Sequence, residues 1–151
     1  MIRRRLAHGT LLVAVVAAAG CLPWSEPSPT TTAPPPSTVI AQLGTPFTLS
    51  PGATAHLDDE RLTVLFNEVS SDSRCPVDVD CVWEGNAIIV LTVVAAGVQA
   101  EHQLATAYPE LAADTAGGYR LTLVNLSPER RHSDGEIPPQ NYRVDLIAAR
   151  P

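Results

Sequence analysis

Apolar and polar side chains alternate along several short stretches of this chain, which is the period of a strand with one buried face. Leu62, Val64 and Phe66 alternate with Arg61, Thr63 and Asn67; Tyr119, Leu121 and Leu123 with Arg120, Thr122 and Val124; Tyr142, Val144 and Leu146 with Arg143 and Asp145. The run Ala87 to Val94 is apolar at both parities and rich in β-branched residues, so it predicts a central strand covered on each side better than an amphipathic helix. Gly97 marks a turn into a further strand, Val98 to Ala105, and Phe47 to Leu49 with Ala53 to Leu57 predict two more around Ser50-Pro51-Gly52. Only Pro109 to Asp114 offers a helical turn or two, cut off by Gly117-Gly118, and no internal repeat is evident. About seven strands separated by Pro, Gly and Asp turns predict an all-β domain, a single small antiparallel β-sandwich or barrel.

Ahead of that domain the pattern changes twice. Arg3, Arg4 and Arg5 precede the apolar run Leu11 to Ala19, which is too short for a permanent membrane helix and reads as a secretory signal. The run Ala18-Ala19-Gly20-Cys21 resembles a bacterial lipobox, with Ala18 where that pattern most often has Leu, and the resemblance implies a diacylated thioether at Cys21. An ordinary secreted protein cut nearby, with Cys21 a free thiol, is the alternative. One acyl chain holds a protein only marginally, whereas two or three anchor it for practical purposes. Leu22 to Thr38 is dominated by Pro, Ser and Thr and has too few apolar side chains to offset its ordering entropy, so a disordered tether is expected. At roughly 3.1 Å per residue it would reach on the order of 50 Å. The chain thus divides into a signal peptide (1–20), a lipidated cysteine with its linker (21–38) and a β domain (39–151).

Charge narrows the partners. All ten basic residues are arginine, against sixteen acidic ones; without the three signal arginines seven face sixteen, a net of −9. Such a body repels phosphate backbones, so nucleic acid is not an expected partner. The membrane, reached through the N-terminal lipid, is. The expected location is the bacterial cell envelope, in the outer membrane if the host is Gram-negative, since Leu22 rather than Asp follows Cys21.

The chemistry-bearing stretch is Asp72 to Ala87. With Cys21 lipidated, Cys75 and Cys81 are left as an even pair in an oxidising compartment, where a disulfide is the default. Five residues lie between them, too many for a redox-active dithiol and without a second pair for a four-thiolate zinc site. A structural staple follows. For so short a loop the chain-entropy account gives roughly 2 kcal/mol. Trp83, two residues after Cys81, is expected to lay its indole against the disulfide or the core, and Gly85 to permit a bend or bulge before the central strand.

The string Asp72-Ser73-Arg74-Cys75-Pro76, then four residues, then Cys81-x-Trp83-x-Gly85-x-Ala87, resembles a family of small, functionally uncharacterised bacterial lipoproteins and secreted proteins. A preceding strand with Phe66 and Val69, a later one at Tyr119 to Leu123, Pro128 and a closing strand at Tyr142 fit the same layout. The resemblance implies an exported β domain in which Arg74, Pro76, Trp83 and Gly85 belong to a structural motif. It implies no reaction.

Other chemistry is sparse. Asp72, Asp78, Asp80 and Glu84 are weak candidates for calcium ligands around the stapled loop, though no EF-hand spacing occurs. His56, His102 and His132 are scattered, no Gly-x-Ser-x-Gly elbow is present, and Asn125-Leu126-Ser127 followed by Pro128 carries little meaning as a sequon. No enzyme and no cofactor is expected. The polar segment Ser127 to Asn141 is the longest loop of the domain, and with Arg74 and the stapled loop it forms the expected partner surface. Two readings stand side by side. One is a non-catalytic binding or structural module for an envelope protein, peptide or glycan, with a protease inhibitor as a variant. The other is a metal (calcium)-dependent factor or enzyme built on the acidic loop. The first predicts an exposed apolar or aromatic patch near Cys75 to Trp83 or the long loop, without a buried titratable cluster; the second predicts the four carboxylates converging.

Overall fold

The computed structural model describes residues 37–108 and 110–150, so Cys21, the signal segment and most of the tether lie outside the described residues. Nine strands fold there: β1 (Thr38–Ile40), β2 (Phe47–Leu49), β3 (Thr54–Leu57), β4 (Leu62–Asp72), β5 (Ala87–Ala95), β6 (Val98–Ala105), β7 (Ala113–Ala116), β8 (Tyr119–Ser127) and β9 (Arg143–Ala149). They form two sheets, β1-β3-β4-β5-β6 and β2-β9-β8-β7. Every pairing is antiparallel except β1 with β3. The fold is the expected all-β sandwich, with more strands because short edge strands such as β1 and β7 are too brief to show a period.

Alternation makes the sandwich. Leu62, Val64 and Phe66 on β4 and Ile89, Leu91 and Val93 on β5 turn into one buried cluster, where they meet Leu121 of β8 and Val144 and Leu146 of β9. On β8 a register shift between Leu123 and Asn125 pushes Val124 out to solvent and re-phases the strand so that Leu126 is buried again. Strand β4 has two register shifts of its own, at Phe66/Glu68 and Val69/Ser71.

Two local expectations are corrected. The outer face of β5 is only partly covered: Ile88, Thr92 and Val94 are half-exposed, because a two-layer sandwich shields one face of each sheet. The helical turn foreseen near Pro109 to Asp114 is instead a turn closed by Leu111 N–H to Tyr108 O at 2.8 Å, running into β7. Ala105 N–H donates to Leu111 O and Leu123 N–H to Ala112 O, so tertiary pairing claims the backbone that a helix would have used.

The two ends of the sandwich differ. One end carries tight connections: Asp58 to Arg61, Ala96-Gly97 and Gly117-Gly118. There Tyr119 and Arg150 both donate to the Asp58 carboxylate and clamp one sheet to the other, and Tyr119 holds that carboxyl below its usual value. The register places the three long connections, residues 73–86, 106–112 and 128–142, at the opposite end.

Candidate functional site

The long-connection end is assembled around Asp72, the last residue of β4. Its side chain is only 7% exposed, and it accepts from Arg74 Nε at 2.9 Å and Nη2 at 2.7 Å, a two-point pairing, and from the Arg74 backbone N–H at 3.1 Å. The Tyr142 phenol adds a fourth donor at 2.9 Å. Burial pushes the Asp72 carboxyl up, but these donors outweigh it and hold it below the ordinary carboxylate value. Burial and the adjoining carboxylate push the Tyr142 phenol up to about 12.

Arg74 then reaches across to the other sheet. It donates to Leu126 O at 2.6 Å and Pro128 O at 2.9 Å. Arg130 returns the contact from the long loop, donating through Nη1 to the carbonyls of Arg74 at 3.0 Å and Asp72 at 3.3 Å. Val77 N–H to Arg130 O at 2.9 Å and His132 N–H to Asp78 Oδ1 at 2.8 Å complete the seam, the latter lowering the Asp78 carboxyl. The stapled loop and the long loop are thus brought together, as foreseen. Arg74 is chiefly a strut within this end, with 16% of its side chain left exposed along the cleft between the stapled loop and β8.

Cys75 and Cys81 are bonded, with their Cα atoms 6.0 Å apart. Below the ring the β4–β5 ladder continues through Ser73 N–H to Asn86 O and Cys75 N–H to Glu84 O, both 2.7 Å. Pro76 begins the turn inside the ring, its carbonyl accepting from Val79 N–H at 3.3 Å. Gly85 has φ 70°, and a Cβ there would lie 1.8 Å from Ser73 O, so the neck of the loop closes only around a glycine. Asn86 Oδ1 accepts from Thr106 N–H, Thr106 Oγ1 and Ala107 N–H at 3.0–3.2 Å and fastens the 106–112 connection to the same neck. Ala87 is fully buried.

Trp83 overturns the packing role expected for it. The residue is 82% exposed, packed against neither the disulfide nor the core, because the ladder at Glu84 and Cys75 fixes the neck and leaves residues 82 and 83 projecting beyond it. Of the nine large apolar side chains exposed among the described residues, six belong to this end: Val77, Val79, Val82, Trp83, Tyr108 and Leu111. Trp83 and Tyr108 border one open cleft of about 440 Å³ with Ser73, Glu84 and Asn86. A second cleft of about 320 Å³ runs between the stapled loop and β8, past Val77, Leu126 and Arg130.

The four acidic loop residues do not gather. Asp72 is spent on Arg74 and Tyr142, Asp78 on the long loop, and among the described residues no three His, Cys, Asp or Glu side chains come together at metal-binding distance. The histidines are dispersed: His102 pairs with Asp114 at 2.6 Å across the β6 and β7 edges, and His56 lies 3.4 Å from Thr63. Sequence reasoning missed Tyr142 and Arg130 as partners of Asp72 and Arg74, Asn86 as the hub of the neck, and Tyr108 as the companion of Trp83. No signal within their own segments marks them, since each acts on a residue far along the chain or across a loop. No protein-family model matches the chain, and no curated protein or solved structure matches it.

Proposed function

We propose that this protein is a lipid-anchored module of the bacterial envelope, tethered through Cys21, which binds a partner without catalysis through the end of its sandwich that carries Trp83. Trp83 carries the reading. A large apolar side chain held in water by a rigid frame is costly to maintain and is the commonest kind of energetic anchor in an interface. The disulfide, the Asp72–Arg74 pair and the Asn86 hub stiffen what lies under it. Little ordering entropy is therefore lost on binding. No buried titratable cluster is expected on this reading, and Asp72, Arg74 and Tyr142 form one; its members are bonded to one another and to loop carbonyls, which fits a scaffold. The metal-dependent reading draws no comparable support, since Asp72 faces inward and Asp78 is already bonded.

The test uses the full chain in its own cells. The chain has no lysine, so amine crosslinkers are blind to its side chains; a photoreactive phenylalanine at Val82 is used instead. Reproducible adducts that disappear in Trp83→Ala support the reading. Adducts that persist in Trp83→Ala, or none at all, refute it.

A further inference from the structure

We infer that the cleft between Trp83 and Tyr108 is a binding site for a neutral oligosaccharide, an inference that rests on reading this end as the binding surface and names its ligand class. A pyranose ring has a C–H-rich face and a rim of hydroxyls, and a site for it must offer both an aromatic wall and convergent hydrogen-bonding groups. This cleft offers both. Trp83 and Tyr108 are 82% and 51% exposed, and both contribute to the same concavity of about 440 Å³.

Glu84 and Asn86 line the same cleft. Asn86 is oriented by three donors converging on Oδ1, and among the described residues its Nδ2 hydrogens are unspent. The Glu84 carboxylate forms no ion pair among the described residues. An amide donor and a carboxylate acceptor in the cleft that holds two aromatic residues match a hydroxyl rim. The two walls come from different connections, residues 73–86 and 106–112, and Asn86 bonds them together, so the backbones that carry the two rings are joined before a ligand arrives.

Other ligand classes fit less well. An extended peptide takes a free strand edge or a deep side-chain pocket, whereas β4 and β5 are paired with each other below this cleft. A lipid tail would meet a polar floor. An anionic glycan would meet Glu84 on a chain of formal net charge −6.

The experiment reads Trp83 directly. The chain has two tryptophans, so Trp24→Phe in the full chain leaves Trp83 as the only indole. In a polyoxyethylene detergent free of sugar headgroups, this protein is titrated with the tetramers of β-1,4-linked glucose, β-1,4-linked N-acetylglucosamine and α-1,4-linked glucose. A saturable change in indole emission with at least one of them is expected, weakened at least about tenfold by Tyr108→Ala. If no tetramer gives a saturable change, or if Tyr108→Ala binds equally well, the inference is overturned. Absence of glycan binding together with Trp83-dependent crosslinks at Val82 leaves the binding surface standing with a protein or peptide as its partner. Absence of both removes the surface as well.

Discussion

Tyr142 donates its phenolic hydrogen to Asp72 Oδ2 at 2.9 Å, joining residues 70 positions apart in the chain, on the same carboxylate oxygen that pairs with Arg74 Nη2. One carboxylate thereby binds the start of the stapled loop to the end of the long one. Replacing it with an amide, Asp72→Asn, removes the ion pair and leaves a guanidinium facing two carbonyls. We expect a loss of about 2–3 kcal/mol in urea unfolding, below the ~3–5 kcal/mol of a fully buried pair because both side chains keep some contact with water.

The same carboxylate sets part of the acid limb of stability. Its folded pKa lies below the unfolded value of 3.8, so the stabilisation is complete above that value and drains away as pH falls through the folded pKa. Stability measured from pH 6 downward should hold nearly level to about pH 5 and then decline. In Asp72→Asn the decline should be shallower; an unchanged slope would mean other carboxylates carry it.

Tyr142 gives a spectroscopic counterpart at alkaline pH. Its phenol, raised from 10.0 to about 12, favours the folded state below the unfolded value and ceases to do so as pH rises through the folded one. Absorbance at the phenolate band should show one tyrosine ionising near 12, and that step should be missing in Tyr142→Phe.

Gly85 and Gly44 form a matched pair of tests. Both have positive φ, but a Cβ at Gly44 meets nothing within 4 Å, whereas one at Gly85 runs into the Ser73 carbonyl. Gly44→Ala should cost about 1–2 kcal/mol from backbone strain alone. Gly85→Ala adds a steric clash at the loop neck and should cost about 2–4 kcal/mol. Equal losses in thermal unfolding would contradict the close approach.

Trp83 should be dispensable for folding. Being exposed, its replacement by alanine should leave the urea midpoint within about 0.5 kcal/mol of the parent while abolishing the Val82 crosslinks. A large loss of stability would show that the indole packs after all.

The anchor is tested apart from the domain. Labelled fatty acid fed to cells should appear in the protein, and Cys21→Ser should release it from the membrane fraction with the sandwich still folded. An unlabelled protein would remove the tether from the proposed function.

The sequence by itself determined the strands whose side chains alternate, β4, β8 and β9, because a two-residue period is a local property that burial of one face imposes on each segment separately. It also pointed to the staple, since with Cys21 read as lipidated the other two cysteines form an even pair in an oxidising compartment. Only the tertiary structure decided what the residues between Asp72 and Ala87 do. Arg74 is drawn inward by carbonyls 52 and 54 positions away, Asn86 is held by Thr106, and Trp83 is turned out because the ladder beneath it closes the neck. These are contacts between distant segments, fixed by how two sheets meet, and no period or spacing within one segment encodes them.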